Sequence, residues 1–103
     1  MKPYKLTNAE EKAAAFPNTF KLPDAEARAS LGPGIYAKLG FEPCIENCPT
    51  ERMWVLVLSR LEGQPYLYEG ILKNDPEFFP PEMLSCYDVV HFSPEHILDI
   101  LRP

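Results

Sequence analysis

Read for the period of its apolar positions, the chain changes character once. Up to about residue 32 the apolar residues cluster at helix-like spacing between prolines; beyond it they alternate or run together as they do in strands. "TNAEEKAAAF", residues 7–16, predicts a short helix in which Thr7 caps the free N–H groups, Glu10 closes a capping box, and Pro17 ends the element. "LPDAEARASLG", residues 22–32, predicts a second helix, capped by Asp24, with Glu26 near the positive end of the helix dipole and Gly32 as a left-handed terminator.

In "GPGIYAKLGFE" the period becomes two. Ile35, Ala37, Leu39 and Phe41 alternate with Tyr36, Lys38, Gly40 and Glu42, as in a strand with one face in the core and one in water. "MWVLVL", residues 53–58, is apolar at every position, which predicts a central strand covered on both sides. "EGQP", residues 62–65, makes a turn, and "YLYEGIL" is the returning strand of a hairpin. "NDPEFFPPEML" is too rich in proline to join a ladder, and Asn74, Asp75 and Pro76 predict a turn whose short polar side chains bond their own backbone. "YDVVHF" is a last strand. It leads into "SPEHILDIL", a closing helical turn or two with Ser93 as cap and Pro94 at the first helical position.

The sum is a single α+β domain over residues 1–103: a helical arm of short helices over 1–32, then over 33–103 a small, strongly curved, barrel-like antiparallel β-sheet ending in a C-terminal helical turn. A chain of 103 residues can bury a core of its own without disulfides or metal. No cofactor is implied: glycines are scattered singly and form no phosphate loop.

Charge narrows the partners. Ten basic residues are scattered among fifteen acidic ones, for a net charge of −5, so the clustered lysines and arginines of a nucleic-acid surface are missing. The acidity fits solubility, or a basic protein partner. No apolar run reaches the length of a bilayer span, so no membrane partner is expected. The start "MKPYKLTNAEEK" lacks the apolar middle of a signal peptide, and three cysteines make no closed disulfide framework; together these predict a cytoplasmic protein.

Several spaced motifs carry a resemblance. "FPNTFKLP", "GPGIYAKLGFE", "ERMWVLV", "YEGILKNDP" and "DVVHFSPEHILDI", in that order over about positions 16–100, resemble a bacterial family of small domains of unknown function. That resemblance implies a fold and little mechanism. The chain departs from the family's pattern at two turns. Gly34-Ile35 stands where the pattern has Gly-Asp, and Cys86-Tyr87-Asp88 stands where a second Gly-Asp would precede the last strand. Neither Cys86 nor Tyr87 has glycine's freedom at positive φ, so this turn is expected to differ in shape.

The candidate chemistry is thin. Arg52 and Trp54 fall on one face of the "ERMWV" strand, a pairing of guanidinium and indole that suits anions, planar ligands or protein partners. The plain alternative is that Trp54 is core and Arg52 pairs with a carboxylate. Tyr66 and Tyr68 would share a face on the neighbouring strand, and Asn74 and Asp75 complete the set of candidate binding residues. Cys44, Cys48, Cys86 and His91 are a conceivable Cys₃His zinc set, although the Cys-x-x-x-Cys spacing is looser than the usual knuckle; free thiols are the default. An enzyme would have to use Cys86, Asp88 and the histidines His91 and His96. The residues favour a non-catalytic binding or interaction module, an acidic protein that could neutralise a basic partner as an immunity protein does.

Overall fold

The computed structural model describes residues 3–103, so Met1 and Lys2 of the arm lie outside the described residues. The elements are β1 (Tyr4–Leu6), α1 (Ala9–Ala15), α2 (Ala25–Ala29), β2 (Tyr36–Pro43), β3 (Glu51–Arg60), β4 (Tyr68–Leu72), β5 (Val89–Phe92), a 3₁₀ turn (Pro94–His96) and β6 (Asp99–Leu101). All pairings are antiparallel, in the order β1-β2-β3-β4-β5, with β6 also on β2. The fold is α+β: two short helices and an antiparallel sheet curled into a half-barrel. No helix among the described residues is long and apolar enough to cross a membrane.

The alternation read in β2 holds on its core side. Ala37, Leu39 and Phe41 are fully buried, facing Met53, Val55 and Val57 of β3, Tyr68 and Leu72 of β4, and Val90 and Phe92 of β5. Leu31, Phe79, Leu84 and Ile97, from the segments between the strands, complete this core. β3 is central as expected, but it is not covered on both sides. Met53, Val55 and Val57 are buried, whereas Trp54 and Leu56 are half-buried and Leu58 is exposed. The helices pack elsewhere, against the 3₁₀ turn, and leave that second face open to water.

Local signals were right for α2 and shifted for α1. Asp24 caps α2 by accepting the Ala27 N–H at 2.8 Å. The cap of α1 is Asn8, whose Oδ1 accepts the Glu11 N–H at 3.0 Å, and not Thr7. Thr7 belongs to the sheet: its N–H donates to the Gly40 carbonyl at 2.9 Å and its hydroxyl to Glu42 Oε2 at 2.7 Å. Glu10 closes no capping box, because its carboxylate pairs with Arg28 at 2.7 Å. Gly32 is not left-handed either; the positive φ falls at Gly34 (91°), at the turn into β2.

Two strands were not foreseen. β1 lies inside the expected helical arm and pairs with the end of β2, and β6 follows the expected C-terminal helical turn, which is a 3₁₀ turn. Three-residue strands carry too little alternation to announce themselves, and both are fixed by the β2 edge they share. Arg28 then ties the arm down. From a buried position its Nε donates to the Pro23 carbonyl at 2.8 Å, and its Nη1 to Glu10 at 2.7 Å and to the Pro94 carbonyl at 3.0 Å.

Candidate functional site

Pairing register places five apolar side chains in one line across the outer face of the sheet. Leu101 is opposite Tyr36, Tyr36 opposite Leu56, Leu56 opposite Ile71, and Ile71 opposite Val89. Residues directly opposite one another on adjacent strands point to the same face. Leu101 and Val89, at the two ends, are 50% and 55% exposed, and Tyr36, Leu56 and Ile71 are half-buried. The row is contiguous, with its exposed members at the two ends, rather than scattered over the surface.

Cations line one side of the row, each laid on an aromatic ring. Lys38 Nζ stands 5.2 Å from the ring centre of Trp54, and Lys73 Nζ 4.6 Å from that of Tyr87. Arg52, next along from Trp54, has its guanidinium 5.1 Å from the Phe20 ring. Arg52 and Trp54 thus share the outer face, as their spacing required. Neither limb of the plain alternative holds: Trp54 is half-buried on this face, outside the core, and Arg52 forms no ion pair among the described residues.

Asn74 works on Trp54 rather than on its own turn. Its Oδ1 accepts the Trp54 N–H at 2.6 Å while Lys73 N–H donates to the Trp54 carbonyl at 2.9 Å, extending the β3–β4 ladder past the end of β4. Asn74 thus fixes the backbone of β3 at Trp54, and Asp75 is exposed beside it.

The two tyrosines part company. Tyr68 is fully buried on the core face, its hydroxyl donating to the Arg28 carbonyl at 2.6 Å and accepting the Leu31 N–H at 3.2 Å, so it belongs to no surface patch. Tyr66 precedes β4 in the loop, where period-two reasoning does not apply. Its ring lies 6.4 Å from His91 and 6.3 Å from His96, and with Tyr4, Lys5 and Leu6 these line a hollow of about 420 Å³. His91 Nε2 meets Glu69 at 2.9 Å, and His96 Nδ1 accepts the Ser93 N–H at 3.0 Å. Burial lowers the His96 pKa below its ordinary value, against the pull of Glu95 and Glu10. Burial raises the Tyr4 hydroxyl to about 12, helped by Asp88 and Tyr66.

The cysteine chemistry does not assemble. Among the described residues no three His, Cys, Asp or Glu side chains stand close enough to hold a metal, so Cys44, Cys48, Cys86 and His91 do not converge. Cys44 and Cys48 lie in the β2–β3 loop, and the Cys86 thiol rests 3.6 Å from the Leu72 carbonyl. Nor do Cys86, Asp88 and His91 form a nucleophile–base pair. Asp88 Oδ2 accepts the Ser85 N–H at 2.9 Å, and His91 sits across from Glu69, three residues from Leu72 along β4. That separation is roughly 10 Å at strand spacing.

The sequence reading missed Phe20, Lys38, Lys73 and the whole apolar row. Only strand register could have revealed the row, whereas the positions of Lys38 and Trp54 on outward faces were open to inspection. Comparison of the chain with protein-family models, with curated proteins and with solved structures finds no match.

Proposed function

We propose that the protein is a non-catalytic binding module that holds another protein against the outer face of its sheet. The observation that supports this is the unbroken row Leu101-Tyr36-Leu56-Ile71-Val89. Apolar residues at the centre of a contact surface with cations and aromatics at its rim are the usual anatomy of a protein interface. The partner's chemistry follows from the rim. Net acidity favours a basic partner, but the charges beside this row include Lys38 and Lys73, which favours an apolar segment flanked by carboxylates. On the strands that carry the row, Asp99 lies opposite Lys38 and Glu69 opposite His91, while the exposed acids Glu46, Glu62, Glu77 and Glu82 lie in loops.

The test is side-by-side capture from cells with the wild type and a Val89→Asp/Leu101→Asp variant, both residues being exposed enough to change without unfolding the chain. A partner with an acidic-apolar segment, held by the wild type and released by the variant, supports the reading. Identical partners on both baits remove it. A homodimer abolished by the variant would replace the foreign partner with a second copy.

A further inference from the structure

The outer face has a second feature, separate from the apolar row. The connection between α1 and α2 brings Phe20 against Arg52 of β3, and a tight turn shapes it, with Thr19 N–H and Phe20 N–H both donating to the Phe16 carbonyl at 3.0 and 2.9 Å. Beneath it lie two adjoining hollows, of about 340 and 230 Å³, which share Phe20, Arg52 and Leu98 as a common wall. Their charge is opposite to that of the protein. Lys12 lines the larger hollow, Lys21 and Lys38 line the smaller, and Arg52 faces both, so four of the ten basic residues meet here with only Glu42 and Asp99 of the fifteen acids.

None of the four cations is ion-paired among the described residues. Glu42 Oε2 accepts the Thr7 hydroxyl at 2.7 Å. Gathering like charges from α1, the connection, β2 and β3 works against the fold unless something relieves it, and a concave wall of one sign concentrates the opposite ion. Arg52 is also held ready. Its guanidinium lies 5.1 Å from the Phe20 ring centre and makes no hydrogen bond or ion pair among the described residues, which leaves its donors open to a carboxylate or phosphate.

We infer that this double hollow binds a small ligand carrying two anionic groups, a diphosphate or a dicarboxylate, with Arg52 contacting both groups, Lys12 taking one and Lys21 with Lys38 the other. The two hollows on either side of one arginine account for the two groups. The site shares Lys38 and Arg52 with the rim of the apolar row but none of the row's own five side chains, so protein binding and anion binding can be separated at Val89.

The experiment is calorimetric titration of the full chain with inorganic pyrophosphate and, separately, with succinate, at constant ionic strength. The expected result is saturable 1:1 binding of one probe over the other, which names the ligand class, weakening as salt is raised. Arg52→Gln should weaken it about tenfold or more, as expected for the loss of a charge-assisted contact. Lys12→Gln and Lys38→Gln should each weaken it less, and Lys5→Gln, outside the hollows, should leave it unchanged. Val89→Asp should also leave it unchanged while disrupting protein capture. Arg52 is exposed, so the variant should fold, which circular dichroism checks. Absence of saturable heat with both probes up to about 10 mM would overturn the assignment. So would equal response of wild type and Arg52→Gln, since the anions would then be reading net surface charge.

Discussion

The carboxylate of Glu51, at the first position of β3, accepts the Phe78 N–H at 2.6 Å through Oε1, while Oε2 accepts the Glu77 N–H at 2.9 Å. One nearly buried side chain thus holds the proline-rich segment after β4 against the sheet and seats Phe79 in the core, its ring 6.4 Å from that of Tyr4. Glu51→Gln turns one of the two acceptors into an amide NH₂ facing a part-buried backbone N–H. The expected loss is about 2 kcal/mol, read from urea denaturation, since bonds to a charged acceptor exceed neutral ones and an orphaned donor adds its own penalty. Amide exchange should quicken first at Glu77 and Phe78. Unchanged stability would show that the segment is held by Phe79 alone.

Tyr68 links the same sheet to the arm. Its hydroxyl is the bridge between β4 and the Arg28 to Leu31 stretch that follows α2. Tyr68→Phe keeps the ring and removes both bonds, leaving the Leu31 N–H without this acceptor. Stability should fall by about 1–3 kcal/mol, and limited proteolysis should cut sooner around residues 16–32. A variant as stable as the wild type would mean that water replaces the hydroxyl there.

Tyr87 occupies a backbone conformation that glycine would hold more easily. Its φ is +77°, so the turn before β5 carries a left-handed residue that is not a glycine. Left-handed backbone costs a residue with a Cβ roughly 1–2 kcal/mol, partly offset in a glycine variant by the greater freedom of the unfolded chain. Tyr87→Gly should therefore unfold at the same or a higher denaturant midpoint, even though the Lys73 contact is lost. Tyr87→Val, branched at Cβ, should unfold earlier. The reverse order would show that the ring contact outweighs the backbone.

His96 predicts an acid sensitivity. Burial holds its folded pKa below the ordinary 6.5, so the folded state binds fewer protons than the unfolded state in this window. Stability from this group is fully present above pH 6.5 and falls as the pH drops from there through the lowered folded pKa, where protonation removes the Nδ1 acceptor of the Ser93 N–H. Thermal midpoints measured from pH 7.5 downward should decline, and His96→Gln should flatten that decline. An equally steep profile in the variant would assign the acid response to carboxylates instead.

Short-range signals explain most of what could be read without the structure. The Asp24 cap, the alternation of Ala37, Leu39 and Phe41, and the hairpin turn over residues 62–65 each involve residues a few positions apart. The same locality misled at Thr7, which has the chemistry of a cap but is drawn to Gly40 and Glu42 across the sheet. Spacing also placed Arg52 and Trp54 on one face. It could not show that Phe20 lies on Arg52, or that Tyr68 turns inward while Tyr66 turns toward two histidines.

Sequence by itself determined the α+β class, the cap of α2 and the side of β2 that enters the core, because periodicity and turn chemistry act over a few residues. Register, curl and edge pairing join residues far apart in the chain, so only the tertiary structure decided that Leu101, Tyr36, Leu56, Ile71 and Val89 stand in one row. It also decided that four scattered cations meet around Phe20. No local pattern encodes either arrangement, since each depends on how β2 divides its free edge between β1 and β6 and on how the α1–α2 connection brings Phe20 against Arg52.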